Sequence, residues 1–230
     1  MIHHDYPQGS PEWLIVRRGA ITGSRFKDAR DFKAPTAAQK KEGAKRGDPS
    51  SKMLGYAYDL ARVRCGGTAP EKFQNQAMRT GVEQEPIARA EYESRTGYLV
   101  EEVGFFTTDD GAFGLSPDGL IDDDGVLEIK TMVSSETLFA AVAQGDISEY
   151  MDQCLGYLWL LGRQWVDLVL WAPDLRHMTI RRIHRKDHEN DIEALESDLV
   201  TFAQLVASFE AQLRKAITAE PINLTIVETA

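Results

Sequence analysis

"SPDGLIDDDGVLEIK", residues 116–130, reads as two short strands joined by an acidic turn. Side chains alternate faces along a strand, so in "GVLEIKTM" Leu127 and Ile129 are placed to enter a core while Glu128 and Lys130 project together from the other face. Asp118 belongs to the strand that the turn folds back against this one. Two carboxylates and an ammonium therefore converge on one spot. Hard divalent cations take oxygen ligands, and Mg²⁺ in particular binds through one or two carboxylates together with substrate phosphate. Such an ion polarises a phosphodiester, and Lys130 is suited to orient the attacking water and to offset charge on the pentacovalent transition state. Asp122, Asp123 and Asp124 fit a turn instead, because consecutive aspartates lack the alternate spacing of a calcium loop.

Working outward, Ser10 and Pro11 read as the cap and first position of a short helix through "EWLIVRRG" that Gly19 ends, and a second helix starts near Thr22 or Ser24. Residues 33–51, rich in Lys, Ala, Gly and Pro without apolar periodicity, read as a mobile basic loop. Met53, Tyr56, Ala57, Leu60 and Val63 recur at helical spacing, and a further helix spans about Gly81 to Thr96, with Gly97 as its stop and Pro86 near its first turn or kinking it. Short β-branched runs from "YLVEEVGFFTT" to "GVLEIKTM" predict an antiparallel meander. A helix over about 147–161 follows, then the strands "WVDLVLWA" and "HMTIRRIH". Asp187 is placed to cap a last long helix whose stripe from Ile192 to Leu213 is expected to pack on the sheet.

The chain has 230 residues, 43% of them hydrophobic, enough for one well-buried domain. No apolar run approaches a membrane span, and "MIHHDYPQGS" lacks the character of a signal peptide, so a soluble protein of the cytoplasm is expected. Cys65 and Cys154 form neither a disulfide framework nor a zinc motif. The net charge of -10 argues against a nucleic-acid partner, yet it is the sum of +6 over residues 1–64 and -16 over 65–230. Either a polyanion groove lies beside a cation site, or the basic residues occupy solvated helix faces.

Together "EWLIVRRGAITGSRF", "TGVEQEPIARAEYE", "SPDGL", "GVLEIK" and "YMDQCLGYLW", collinear from residue 12 to about 160, resemble the lambda-type phage exonucleases. These are alkaline exonucleases of recombination within the PD-(D/E)xK nuclease superfamily. The resemblance implies an α/β (α+β) fold, a PD-(D/E)xK core with a central mixed sheet flanked by helices, forming a single nuclease domain over residues 1–230. It implies Asp118, Glu128, Glu85 and the main-chain carbonyl of Ile129 as metal ligands and Lys130 as the catalytic lysine. Gln153 and Tyr157 match the QxxxY element that braces the site, Arg17 and Ser24 the contacts to a 5′-phosphate, and Met78 an apolar residue that splits the terminal base pair. Arg18 stands in for Arg17 if the helix phase differs.

The implied activity is 5′ to 3′ digestion of linear double-stranded DNA with Mg²⁺ as cofactor, as two ions for which Mn²⁺ can substitute. It releases 5′-mononucleotides and leaves a 3′ single strand for annealing. A homotrimer ring, a single-strand annealing protein as partner and a phage or prophage origin are implied as well. Two places depart from the family pattern. Glu136 stands near where a phosphate-binding arginine is expected, and the basic loop does not align, which leaves open whether Arg46 or another of its cations meets DNA. A structure-specific or restriction-type endonuclease shares the same centre without needing Arg17, and a non-catalytic DNA-binding protein would not need an intact Asp118, Glu128 and Lys130.

Overall fold

The computed structural model describes residues 1–44, 46–68 and 76–219. In chain order these form β1 (Ile2–His4), α1 (Pro11–Val16), β2 (Ile21–Thr22), a 3₁₀ turn (Gly23–Arg25), α2 (Phe26–Ala29), α3 (Ala37–Lys41), α4 (Ser51–Arg64) and α5 (Gln76–Thr96). Then come β3 (Phe105–Thr107), β4 (Phe113–Leu115), β5 (Gly119–Ile121), β6 (Gly125–Thr131), α6 (Ser135–Leu138), α7 (Ser148–Leu161), β7 (Trp165–Ala172), β8 (His177–His184) and α8 (Glu189–Ala219).

The expected meander is divided. β3 and β4 belong to a four-stranded sheet ordered β1-β3-β4-β2, whereas β5 and β6 begin a second sheet ordered β5-β6-β7-β8. Both are mixed: β2 and β4 run parallel in the first, β6 and β7 in the second. The chain changes sheet at Ser116–Asp118, so Asp118 sits at the seam between them. Gly119 permits the crossing, because a Cβ there would lie 2.1 Å from the Val100 side chain. Residues 99–104 form no full strand, and within them Glu101 makes an isolated bridge to Leu120.

Alternation along the second sheet sorts its side chains between two helical layers. Leu127, Ile129, Val169 and Trp171 meet Ala88 and Tyr92 of α5. Val126, Leu168 and Leu170 join Leu155 and Leu158 of α7 in the larger core on the other face. Each fully buried aliphatic side chain contributes roughly 1.5–3 kcal/mol. Helix α5 begins by Gln76, so Pro86 lies deep inside it and not in its first turn, and Gly97 ends it at a φ of 76°.

Three further expectations are corrected. The 33–51 stretch contains α3, closed by a capping box between Thr36 and Gln39, and is drawn together where Phe32 bridges Pro49; its Lys45 lies outside the described residues. Asp187 ends a 3₁₀ turn, and α8 starts two residues later. The α8 stripe packs chiefly on helices α4 and α7, with Phe202 stacked on Tyr56 at 5.3 Å. α4 and α8 therefore form a helical layer outside the sheet.

A buried polar knot fixes α5 to the second sheet. Asp167, 1% exposed, accepts the Tyr92 hydroxyl at 2.6 Å and two bonds from Arg182 at 2.8 and 2.7 Å. Asp167→Ala would leave a buried hydroxyl and a guanidinium without their acceptor. It is expected to lower the unfolding free energy by about 3 kcal/mol. A urea midpoint unchanged from the parent would show that the knot contributes nothing.

Candidate active site

Each element brings one part of the site. On β6, Glu128 is 2% exposed and turned toward α7, whose Gln153 and Tyr157 stand one turn apart on the facing side. Tyr157 donates to Glu128 Oε2 at 2.5 Å, and the Gln153 amide donates to Glu128 Oε1 and to the Tyr157 hydroxyl, both at 2.8 Å. Lys130 Nζ lies 2.6 Å from Glu128 Oε1 and donates to Gln153 Oε1 at 3.0 Å. The amide orientation of Gln153 thus satisfies three neighbours at once. Asp118 is braced differently, its Oδ2 accepting the Ile129 N–H at 2.6 Å across the β5–β6 hairpin.

These groups open onto a cleft of about 1420 Å³, also lined by Arg17, Ser24, Met78, Glu85 and Ile129. All the residues expected from the sequence are therefore brought together. The helix phase is settled in favour of Arg17: Arg18 points away and donates to the Gly67 carbonyl. α1 makes this possible. Ser10 accepts the Trp13 N–H, Trp13 is buried, and one turn later the Arg17 guanidinium lies 4.2 Å from the Trp13 ring centroid. Burial lowers the Arg17 pKa. The Trp13 indole N–H reaches Ser116 Oγ at 3.4 Å, tying this cation to the segment that carries Asp118. Ser24 and Met78 are exposed on the cleft wall.

Electrostatics distinguish the centre from an ordinary salt bridge. Burial, with Glu128 and Glu85 as further causes, pushes Asp118 well above the usual carboxylate range. Burial also raises Glu85, with Glu128 and Glu102 adding to it against Arg89. Burial opposes the Lys130 ammonium, yet Glu128 and Asp118 outweigh it and the net shift is upward. Mutually repelling carboxylates in one cleft are what a hard divalent cation relieves, so Asp118, Glu128 and Glu85 fit such an ion by donor type. Among the described residues no three acidic, His or Cys groups already enclose an ion position, and Lys130 and Arg89 supply the positive charge facing them.

The basic N-terminal region does not line this cleft. Of its thirteen cations Arg17 alone does so among the described residues. Arg30 pairs with Asp152 and Asp198, Arg46 with Asp198, Lys27 with Glu149, and Lys52 with Asp28. Arg46 is held over Phe32 besides. Lys27, Arg30 and Arg46 thus tie the N-terminal segment to the acidic body, whereas Lys52 pairs within the segment itself. Sequence reasoning missed Trp13, Arg89 and Glu102 in the cleft; the first two stand four residues from Arg17 and Glu85, a spacing that was legible.

A family model described as the YqaJ-like viral recombinase domain matches residues 12–164, which include every candidate site residue above. The chain belongs to this family. Among solved structures, an alkaline exonuclease from Laribacter hongkongensis, LHK-Exo, is 32% identical over 92% of this chain and 100% of its own, with a TM-score of 0.72. The same protein in complex with dAMP gives 0.74 at the same identity and coverage. A phage-related exonuclease from Haemophilus somnus 129PT, 16% identical over 86% of this chain and 96% of its own, shares the fold with a TM-score of 0.62. No curated protein matches the chain. The resemblance to lambda-type exonucleases is borne out, and the mixed α/β architecture of this YqaJ-like domain is that of the alkaline exonucleases. Family membership supports a nuclease role on DNA. Among the described residues no helix is long and apolar enough to cross a membrane.

Proposed function

We propose that this chain is a Mg²⁺-dependent exodeoxyribonuclease that digests linear double-stranded DNA from the 5′ end, releasing 5′-mononucleotides and leaving a 3′ single strand. The observation that carries the reading is the shared cleft: the Asp118, Glu128 and Lys130 centre opens beside Arg17, stacked on Trp13, and beside Ser24. Support also comes from LHK-Exo, whose structure with dAMP places a mononucleotide on a related protein.

In this reading Asp118, Glu128, Glu85 and the Ile129 carbonyl hold Mg²⁺, as two ions replaceable by Mn²⁺. When bound, it supplies polarisation of the phosphodiester and neutralisation of developing charge at the leaving oxygen. The protein does the remainder. Tyr157 and Gln153 hold the Glu128 carboxylate in one orientation. Lys130, already 3.0 Å from Gln153 Oε1, is placed to orient the attacking water and to offset transition-state charge. Arg17, stiffened by its stack on Trp13, grips the 5′-phosphate through its planar fork, and Ser24 adds a hydroxyl. Met78, half exposed on the cleft wall, meets the terminal base pair.

Among the described residues six carboxylates line the same cleft, Glu83, Glu85 and Glu102 included, so close approach of DNA requires cations to screen them. Processive action as a homotrimer ring, a partner annealing protein and a phage-derived setting in the bacterial cytoplasm complete the proposal.

Closed circular duplex offered beside linear duplex in Mg²⁺ tests it. The linear form is expected to be consumed to mononucleotides with the circle intact; a cut circle favours the endonuclease reading. Arg17→Ala is expected to reduce the preference for 5′-phosphorylated over 5′-hydroxyl ends by about tenfold, the scale of one charge-assisted phosphate contact. An equal loss of rate on both kinds of end would remove Arg17 from that role.

A further inference from the structure

The cleft contains a buried cation, Arg89, to which the proposed reaction gives no role. The Arg89 side chain, on α5, is 10% exposed. It donates from Nη2 to Glu85 Oε1, one turn back, at 2.7 Å. Its Nη1 pairs with Glu102, in the segment leading into β3, whose side chain is 74% exposed. Its Nε is a buried donor with no hydrogen-bond partner among the described residues. An unsatisfied buried donor is costly, so this guanidinium is held where it is by its two carboxylates at the expense of its own satisfaction.

Glu85 needs that support for two reasons. Pro86 follows it, and proline has no N–H, so the Val82 carbonyl lacks its usual helical donor and the turn bearing Glu85 is less firmly closed. Glu85 is also repelled by Glu128 across the cleft and by Glu102 beside it. Left to the helix alone, its carboxylate would swing toward water. Ala88 and Tyr92, by contrast, are locked against the second sheet, which makes the next turn of α5 a fixed base from which Arg89 can reach back.

We propose that Arg89 is a positioning residue for the cation site, clamping Glu85 toward Asp118 and Glu128 against their mutual repulsion. This rests on the reading of Glu85 as a cation ligand. A mere tether between α5 and residue 102 would hold the fold but would not couple Arg89 to ion binding through Glu85.

Mg²⁺ titrated into the DNA-free protein by calorimetry separates the two. Arg89→Met is expected to weaken Mg²⁺ binding about tenfold, as loss of a residue that orients a metal ligand does. Glu85→Gln should cost a similar factor, and the double variant no more than the larger single loss, since both remove one interaction. Arg89→Lys keeps the charge without the two-pronged geometry and should fall between. It carries the same cycle should Arg89→Met fail to melt cooperatively. Losses that multiply in the double variant, or normal Mg²⁺ affinity in Arg89→Met, overturn the proposal. No Mg²⁺ uptake by the unsubstituted chain would instead overturn the cation reading of the whole site, and this proposal with it.

Discussion

Asp118→Ala is expected to abolish DNA hydrolysis, with at least a thousandfold loss and the fold retained. Among the described residues the Asp118 carboxylate accepts a hydrogen bond from the Ile129 N–H alone, so its removal leaves a single backbone donor at the seam between the sheets. That costs little stability. The catalytic cost is larger, because Asp118, just before β5, and Glu128 on β6 are the carboxylates that face the scissile phosphate in the proposed reaction. A thousandfold corresponds to about 4 kcal/mol of transition-state stabilisation. Initial rates on linear duplex, read beside circular dichroism melts, check both halves of the statement. Cleavage at the parental rate would defeat the metal assignment.

Lys130→Met should be nearly as damaging to the rate but different in character. A positioned proton-transfer or charge-offsetting group contributes roughly 10²–10⁴-fold, and Lys130 is the ammonium that touches Glu128 and Gln153 together. Glu128 would keep Tyr157 and Gln153 as donors yet lose its counter-charge while still buried. The variant should therefore also be less stable, by about 3 kcal/mol. DNA binding should persist. A variant that cleaves within a factor of a few of the parent would leave Lys130 as a structural counter-ion alone.

How far the sequence carries such an account depends on whether the information is local. α4, α7, β7 and β8 were legible because their apolar spacing is local and strong, and Glu128 with Lys130 because strand alternation is strict. The Asp122–Asp124 turn was legible for the same reason; all three are exposed, and Asp122 takes a φ of 45°. The division of the expected meander was not, since "LSPDG" is extended chain whether it stays in one sheet or leaves for another. Nor was the partner of α8, because an apolar stripe states only that it must be covered. The fate of the N-terminal cations was hidden too. Arg30 finds Asp198, and Lys27 finds Glu149, across more than a hundred residues, and a charge count reads as a groove what folding makes into a set of ion pairs. Arg89 lies between: its spacing from Glu85 was visible, but its burial at the cleft and its reach to Glu102 arise only from tertiary packing.

The most direct measurement uses a linear duplex carrying a 5′-phosphate at one end and a 5′-hydroxyl at the other, each terminal nucleotide bearing a different label, incubated with the protein and Mg²⁺. Early release of the label from the phosphorylated end as a mononucleotide is expected, with slower release from the hydroxyl end and none once Mg²⁺ is chelated. Release of both labels at one rate, release as oligonucleotides, or cleavage that survives chelation would contradict the proposed function.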